Sequence, residues 1–193
     1  MKKLIISVIA SLFVYGVLGS VVWAGPSIKD SVVTYGFEGE PCGDSELLEF
    51  EEHGNKLRFV ALNYALMVSE DDRLSGLETV NVEAFFNNIN GHITAHGNVV
   101  IEPSAYPGST WEGDFNMHVP GGRLMDVNGI IMTKDSQMNL RGTGEFDGQW
   151  FFSSHGIAAN PADVPPVDDP DGDGPCYFSG EIFTGTILNP NAN

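Results

Sequence analysis

Positive charge is scarce in this chain. Nine lysines and arginines stand against 26 aspartates and glutamates, for a formal charge of -17. A surface of that sign repels phosphate backbones and anionic lipid, so neither nucleic acid nor membrane is an expected partner, whereas cations and cationic ligands are favoured. Cysteine is scarcer still, at two residues, Cys42 and Cys176. In an oxidising compartment their expected use is one disulfide. Absent too is a G-x-S-x-G nucleophile elbow; Ser153, Ser154 and His155 form only the weak run SSHG. Beyond the N-terminus, no helical pattern is long enough to carry crossovers between parallel strands, which excludes an α/β architecture.

The N-terminus carries Lys2 and Lys3, an apolar run from Leu4 to Leu18, and a small-x-small exit at Val22-Trp23-Ala24 before Gly25. That is the form of a secretory signal peptide, residues 1–24, cleaved after Ala24. An uncleaved anchor is the alternative for so long a run, but Gly16, Gly19 and the exit site favour cleavage. No cysteine follows the cleavage point, so a lipid anchor is not expected. The expected location is secreted or periplasmic, and residues 25–193 are of a size for one domain.

Within that domain short alternating runs are cut by glycines and turn residues. Trp111, Phe115, Met117 and Val119 take every second place, with Gly113 in the gap, and Glu112, Asp114, Asn116 and His118 stand between them. That is a strand with one apolar and one polar face. Strands are expected at 31–37, 47–52, 56–68, 79–86, 92–101, 110–119, 124–133, 138–146, 149–154 and 177–188, with Ser69 to Glu78 as a polar connection. Residues 56–68 are apolar on both parities and have helical propensity, but the hairpin turn His53-Gly54-Asn55 and the β-branched and aromatic content favour a strand. The expected fold is all-β, a single antiparallel barrel of about eight to ten strands. Its strand glycines allow sharp bending. Cys42 follows the first strand and Cys176 precedes the last, so their bridge would close the barrel at one rim by setting first and last strands antiparallel.

The runs STWEGDFNMHV and RGTGEFDGQWFF resemble the strand pattern of small bacterial barrels related to allene oxide cyclases and dirigent proteins, and more loosely of lipocalins and avidins. The resemblance implies an eight-stranded barrel with an apolar interior that holds a small hydrophobic molecule or guides its cyclisation. The long acidic insert before the last strand departs from that pattern, and no site residue is carried over.

Two constellations remain. Trp111, Phe115, Met117, Phe146, Trp150 and Phe152 are the candidate lining of a ligand cavity, with core filling as the alternative. Asp169, Asp171 and Asp173 in DPDGDG match the first six positions of a calcium loop, where alternate carboxylates converge on a hard cation. The match fails at position twelve, Gly180. A shorter extracellular loop completed by Asp168 or Asp163 is the surviving reading, inside an acidic proline-rich stretch at 157–175; a solvated loop is its alternative. His92 and His96 are too far apart along a strand to share an ion. Glu112 and Asp114 would stand about 7 Å apart, within range of an acid/base pair. The function expected first is binding of a small apolar or amphipathic ligand. A barrel isomerase or cyclase comes second and a calcium-dependent surface interaction protein third.

Overall fold

The computed structural model describes residues 28–37, 43–119, 125–127, 130–132, 137–158, 167–168, 175–176 and 181–190. The N-terminal 27 residues, which include the expected signal segment, lie outside the described residues. In chain order the strands are β1 Ile28–Phe37, β2 Gly43–His53, β3 Lys56–Ser69, β4 Gly76–Asn87, β5 His92–Pro103, β6 Trp111–Val119, β7 Met125–Val127, β8 Ile130–Met132, β9 Gln137–Gly142, β10 Trp150–Ala158, β11 Val167–Asp168, β12 Pro175–Cys176 and β13 Glu181–Asn189. Two 3-10 turns interrupt them, η1 at Asp72–Leu74 and η2 at Gly144–Phe146. The protein is all-β. Among the described residues there is no α-helix.

Eleven strands form one antiparallel sheet, in which β13, β1, β3, β4, β5, β6, β9 and β10 are consecutive neighbours, β8 and β7 follow β10, and β2 pairs with β3. β13 pairs on one side with β10, from Trp150↔Leu188 to Ile157↔Glu181. On its other side it pairs with β1, from Ile28↔Asn189 to Tyr35↔Ile182. First and last described strands are thus antiparallel neighbours, the arrangement that the cysteine positions suggested. No disulfide occurs among the described residues: Cys42 lies outside them, and of Cys176 only the backbone, in β12, is described.

β2 needs a different account from the other strands. β1 ends on the rung Phe37↔Leu66, and β2 begins on the next rung of the same edge of β3, Gly43↔Ala65. β1 and β2 therefore run in one line along β3, with residues 38–42 inserted between consecutive rungs. All of β2 after Gly43 is exposed.

Several boundaries depart from the sequence reading. Residues 56–68 are strand, because β3 is paired on both edges and its two faces are each at least half-buried. The expected strand 138–146 stops at Gly142, after which Gly144 at φ 62 turns the chain into η2. Within the expected strand 124–133, the described pieces β7 and β8 pair with each other antiparallel. The connection Ser69 to Glu78 is shorter than expected, and Leu77 and Glu78 already belong to β4.

Strand alternation sets the core. Val82, Ala84, Ala95, Val99, Ile101, Phe115, Met138, Leu140, Phe151 and Ile187 all face one side, and Leu74, Trp111 and Phe146 gather at one end of it. Gly97 and Gly113 sit on this inward face where strands approach closely. A Cβ at Gly97 would meet the Asn81 carbonyl oxygen at 2.0 Å, and one at Gly113 the Asn139 carbonyl oxygen at 2.0 Å. Only glycine allows the backbones to come so near.

Candidate functional site

The inward face does not fill its own space. Between Phe59 on β3, Val80 and Val82 on β4, Ile93 on β5 and Phe115 and Met117 on β6 lies a cavity of about 250 Å³. Its wall is mainly apolar because even-numbered residues of β4 and odd-numbered residues of β5 and β6 point to the same side.

Next to the Glu78↔Ile101 rung the inward face is packed core. There η1 carries Leu74, fully buried, beneath Trp111, whose ring stacks on Phe146 with centroids 5.0 Å apart and planes 12° from parallel. Phe151 meets Trp111 edge-on at 6.3 Å, and Tyr106 meets Phe146 edge-on at 5.0 Å. The indole Nε1 of Trp111 donates to the backbone oxygen of Arg73 at 2.8 Å, which ties η1 to β6. Asp71 caps η1 by accepting from the Arg73 backbone N–H at 3.0 Å and from its guanidinium at 2.6 Å. The hydrogen bonds from Arg73 hold the Asp71 carboxyl below its ordinary range, against the opposing effect of partial burial. At the other end, Phe50 of β2 stands opposite Phe59, and Leu47 opposite Ala61. Phe50 and Leu47 are 58% and 61% exposed.

The six aromatic and sulfur-bearing candidates separate into three groups. Phe115 and Met117 line the cavity. Trp111 and Phe146 are buried in the floor and fill core instead. Trp150 and Phe152 correct the expectation outright. They alternate with buried Phe151, so they face out, 39% and 42% exposed, stacked on each other at 6.0 Å.

The remaining candidates stand apart from the cavity. Glu112 and Asp114 are exposed on the outer face; Thr110 Oγ1 donates to Glu112 at 2.7 Å and Asn98 Nδ2 to Asp114 at 2.8 Å. His92 and His118 are edge-on neighbours at 4.6 Å. His96 lies 3.2 Å from Glu83, which also accepts from Arg58 at 2.6 Å. Glu49 and Glu83 hold the Arg58 guanidinium above its ordinary value. Ser153 is buried, and its hydroxyl has no hydrogen-bond partner among the described residues. Among the described residues no group of three metal-ligating side chains occurs. Asp169, Asp171 and Asp173 lie outside the described residues, but their flanks are joined: Val167 pairs with Cys176 and Asp168 with Pro175.

The residue that sequence reasoning missed is Glu78. Only 4% exposed, it lies in the cavity wall on β4 between the rungs to Ala65 and Ile101. A signal was present, since Glu78 continues the inward parity of Val80, Val82 and Ala84 by one step. Its position beside the polar run SEDDRLSG placed it in the connection instead.

Comparison with protein-family models, with curated proteins and with solved structures finds no match for this chain.

Proposed function

We propose that this chain is a closed β-barrel, exported from the cell, that binds a small apolar or amphipathic molecule in its interior. The cavity of about 250 Å³ behind an apolar wall carries this reading, since concave apolar sites with a few placed polar groups are the usual ligand sites. Closure is supported by the pairing of β13 with both β10 and β1, which leaves each of the eight strands with two neighbours. The similarity to allene oxide cyclase-like barrels remains a proposal that rests on the strand pattern.

The test is a titration with an apolar fluorescent dye, together with native mass spectrometry for a co-purified ligand. Saturable one-site binding is expected, and it should be lost in Val82→Phe or Ala84→Leu, which fill the wall without changing its charge. Absence of saturable binding by the wild-type chain would refute the reading.

Glu78 favours a second reading, a barrel isomerase or cyclase. A carboxyl in an apolar wall is where a general acid or base is tuned for work. In that reading Glu78 moves the proton and the wall constrains the substrate. The acidic loop is a separate proposal. The β11–β12 ladder holds the ends of residues 169–174 together, which supports a calcium-binding loop.

A further inference from the structure

We propose that the edge of β2 takes an extended cationic peptide segment, one in which basic residues alternate with apolar ones, as an added strand. This goes beyond the ligand-binding reading and does not depend on what fills the cavity.

β2 is bonded along one edge. Among the described residues its single neighbour is β3, and every residue from Asp44 to His53 is exposed. Its two faces differ in chemistry, because residues directly opposite across an antiparallel pair share a face. Leu47 and Phe50 stand opposite Ala61 and Phe59, on the inward parity of β3. Glu46, Glu49 and Glu51 stand opposite Leu62, Val60 and Arg58, on the outward parity. Leu48 falls at the bulge, where the register shifts between Leu47 and Glu49. An uncovered strand with apolar side chains on one face and acids on the other is a template to which an extended peptide can add, its backbone supplying affinity and its alternate side chains specificity.

The occupant follows from charge. β2 carries the acids Asp44, Glu46, Glu49, Glu51 and Glu52 and no lysine or arginine. Arg58 is shared among three carboxylates, 2.8 Å from Glu49, 3.7 Å from Glu51 and 2.6 Å from Glu83. Glu46 and Glu52 make no ion pair among the described residues. A second copy is the poorer occupant. Antiparallel pairing of two β2 edges about Phe50 would set Glu49 of one copy opposite Glu51 of the other, and like charges directly opposite destabilise a sheet. A strand with lysine or arginine on one face meets these acids with opposite charge, and its apolar face lies beside Leu47 and Phe50. The acids thus guard the edge against its own kind. Guarding alone gives no reason for Leu47, Leu48 and Phe50 to stand exposed together.

The experiment is a fluorescence-anisotropy titration of the full chain into three short, labelled, end-capped peptides. One alternates lysine with valine, one alternates glutamate with valine, and the third is the lysine–valine peptide methylated on every backbone nitrogen, which keeps the charge but cannot join a ladder. The unmethylated lysine–valine peptide is expected to bind at least about tenfold more tightly than either of the others, the methylated peptide losing a row of backbone hydrogen bonds. Phe50→Ser, and separately Glu46→Gln combined with Glu52→Gln, should each weaken it about threefold, the scale of one or two cross-strand pairs. These changes fall on exposed side chains; should one variant fail to fold, the peptide ranking and the other variant decide the matter. Equal binding of the methylated peptide reduces the effect to charge attraction and overturns the proposal. Preference for the glutamate peptide, no binding of the lysine–valine peptide, or variants that bind it as the wild type does also overturn it. Sedimentation of the wild type as a dimer that Phe50→Ser dissociates would assign the edge to a second copy and overturn the choice of occupant.

Discussion

The two tryptophans of the described chain are chemically identical and structurally opposite, so replacing each by phenylalanine isolates what the floor contributes. Trp111→Phe removes the indole N–H that reaches the Arg73 carbonyl at 2.8 Å and leaves that oxygen without its donor. Losing one side of a buried hydrogen bond costs about 1–3 kcal/mol. The smaller ring adds a void at a site with no exposure, roughly a further 1 kcal/mol, although stacking on Phe146 is partly kept. The expected total is about 2–4 kcal/mol. In a domain of this size each kcal/mol shifts Tm by about 2–4 °C. Trp150→Phe changes an exposed ring that stacks only on exposed Phe152, and surface changes of this kind stay within about 0.5 kcal/mol. Urea titration followed by far-UV circular dichroism measures both, with unchanged slope as the sign that stability alone has moved. Equal midpoint shifts for the two variants would refute this account of the floor.

Three further outcomes are expected. Asp71→Asn should cost up to about 1 kcal/mol at pH 7, because the amide oxygen can still cap η1 but the charge paired with the Arg73 guanidinium is gone. Because the folded-state pKa lies below the ordinary 3.8, that stabilisation is complete above the ordinary value and fades as pH falls through the folded one. Stability measured from pH 7 to pH 2 should therefore show the two proteins converging only in acid. Gly97→Ala should lower the urea midpoint more than Gly54→Ala: the first drives a Cβ into the Asn81 carbonyl, whereas the second, at φ 62, meets open space and bears only the left-handed penalty of about 1–2 kcal/mol. If the DPDGDG loop holds calcium, millimolar calcium should raise Tm and Asp171→Ala should cancel the gain; identical scans with calcium and with chelator would reduce the loop to a solvated connection.

The strands were legible wherever one face met water. β6 and β9 alternate plainly because burial on one side leaves a period of two, and β4 does so from Thr79 onward. Legibility failed where tertiary contacts override local pattern. Phe146 continues the apparent strand of Met138 and Leu140, yet Gly144 redirects it to stack under Trp111. Trp150 and Phe152 read as lining because aromatics signal burial; parity alone cannot say which of 150/152 and 151/153 faces in, and neighbours far away in sequence decide it. Glu78 was hidden for the converse reason. A lone acid at the end of an acidic stretch looks solvated until β3 and β5 enclose it.

The pairing of β13 has a consequence for when this chain can fold. The rung Ile28↔Asn189 spans nearly the whole described sequence, and the β10 edge is completed by the same segment. Until the final strand arrives, β1 and β10 each present a row of unsatisfied amides and carbonyls, and the most distant contacts have no partner to close on. Completion of the sheet is therefore timed by β13. A chain in which β13 has not yet docked leaves β1 and β10 as the edges at which chaperones or neighbouring copies compete with it.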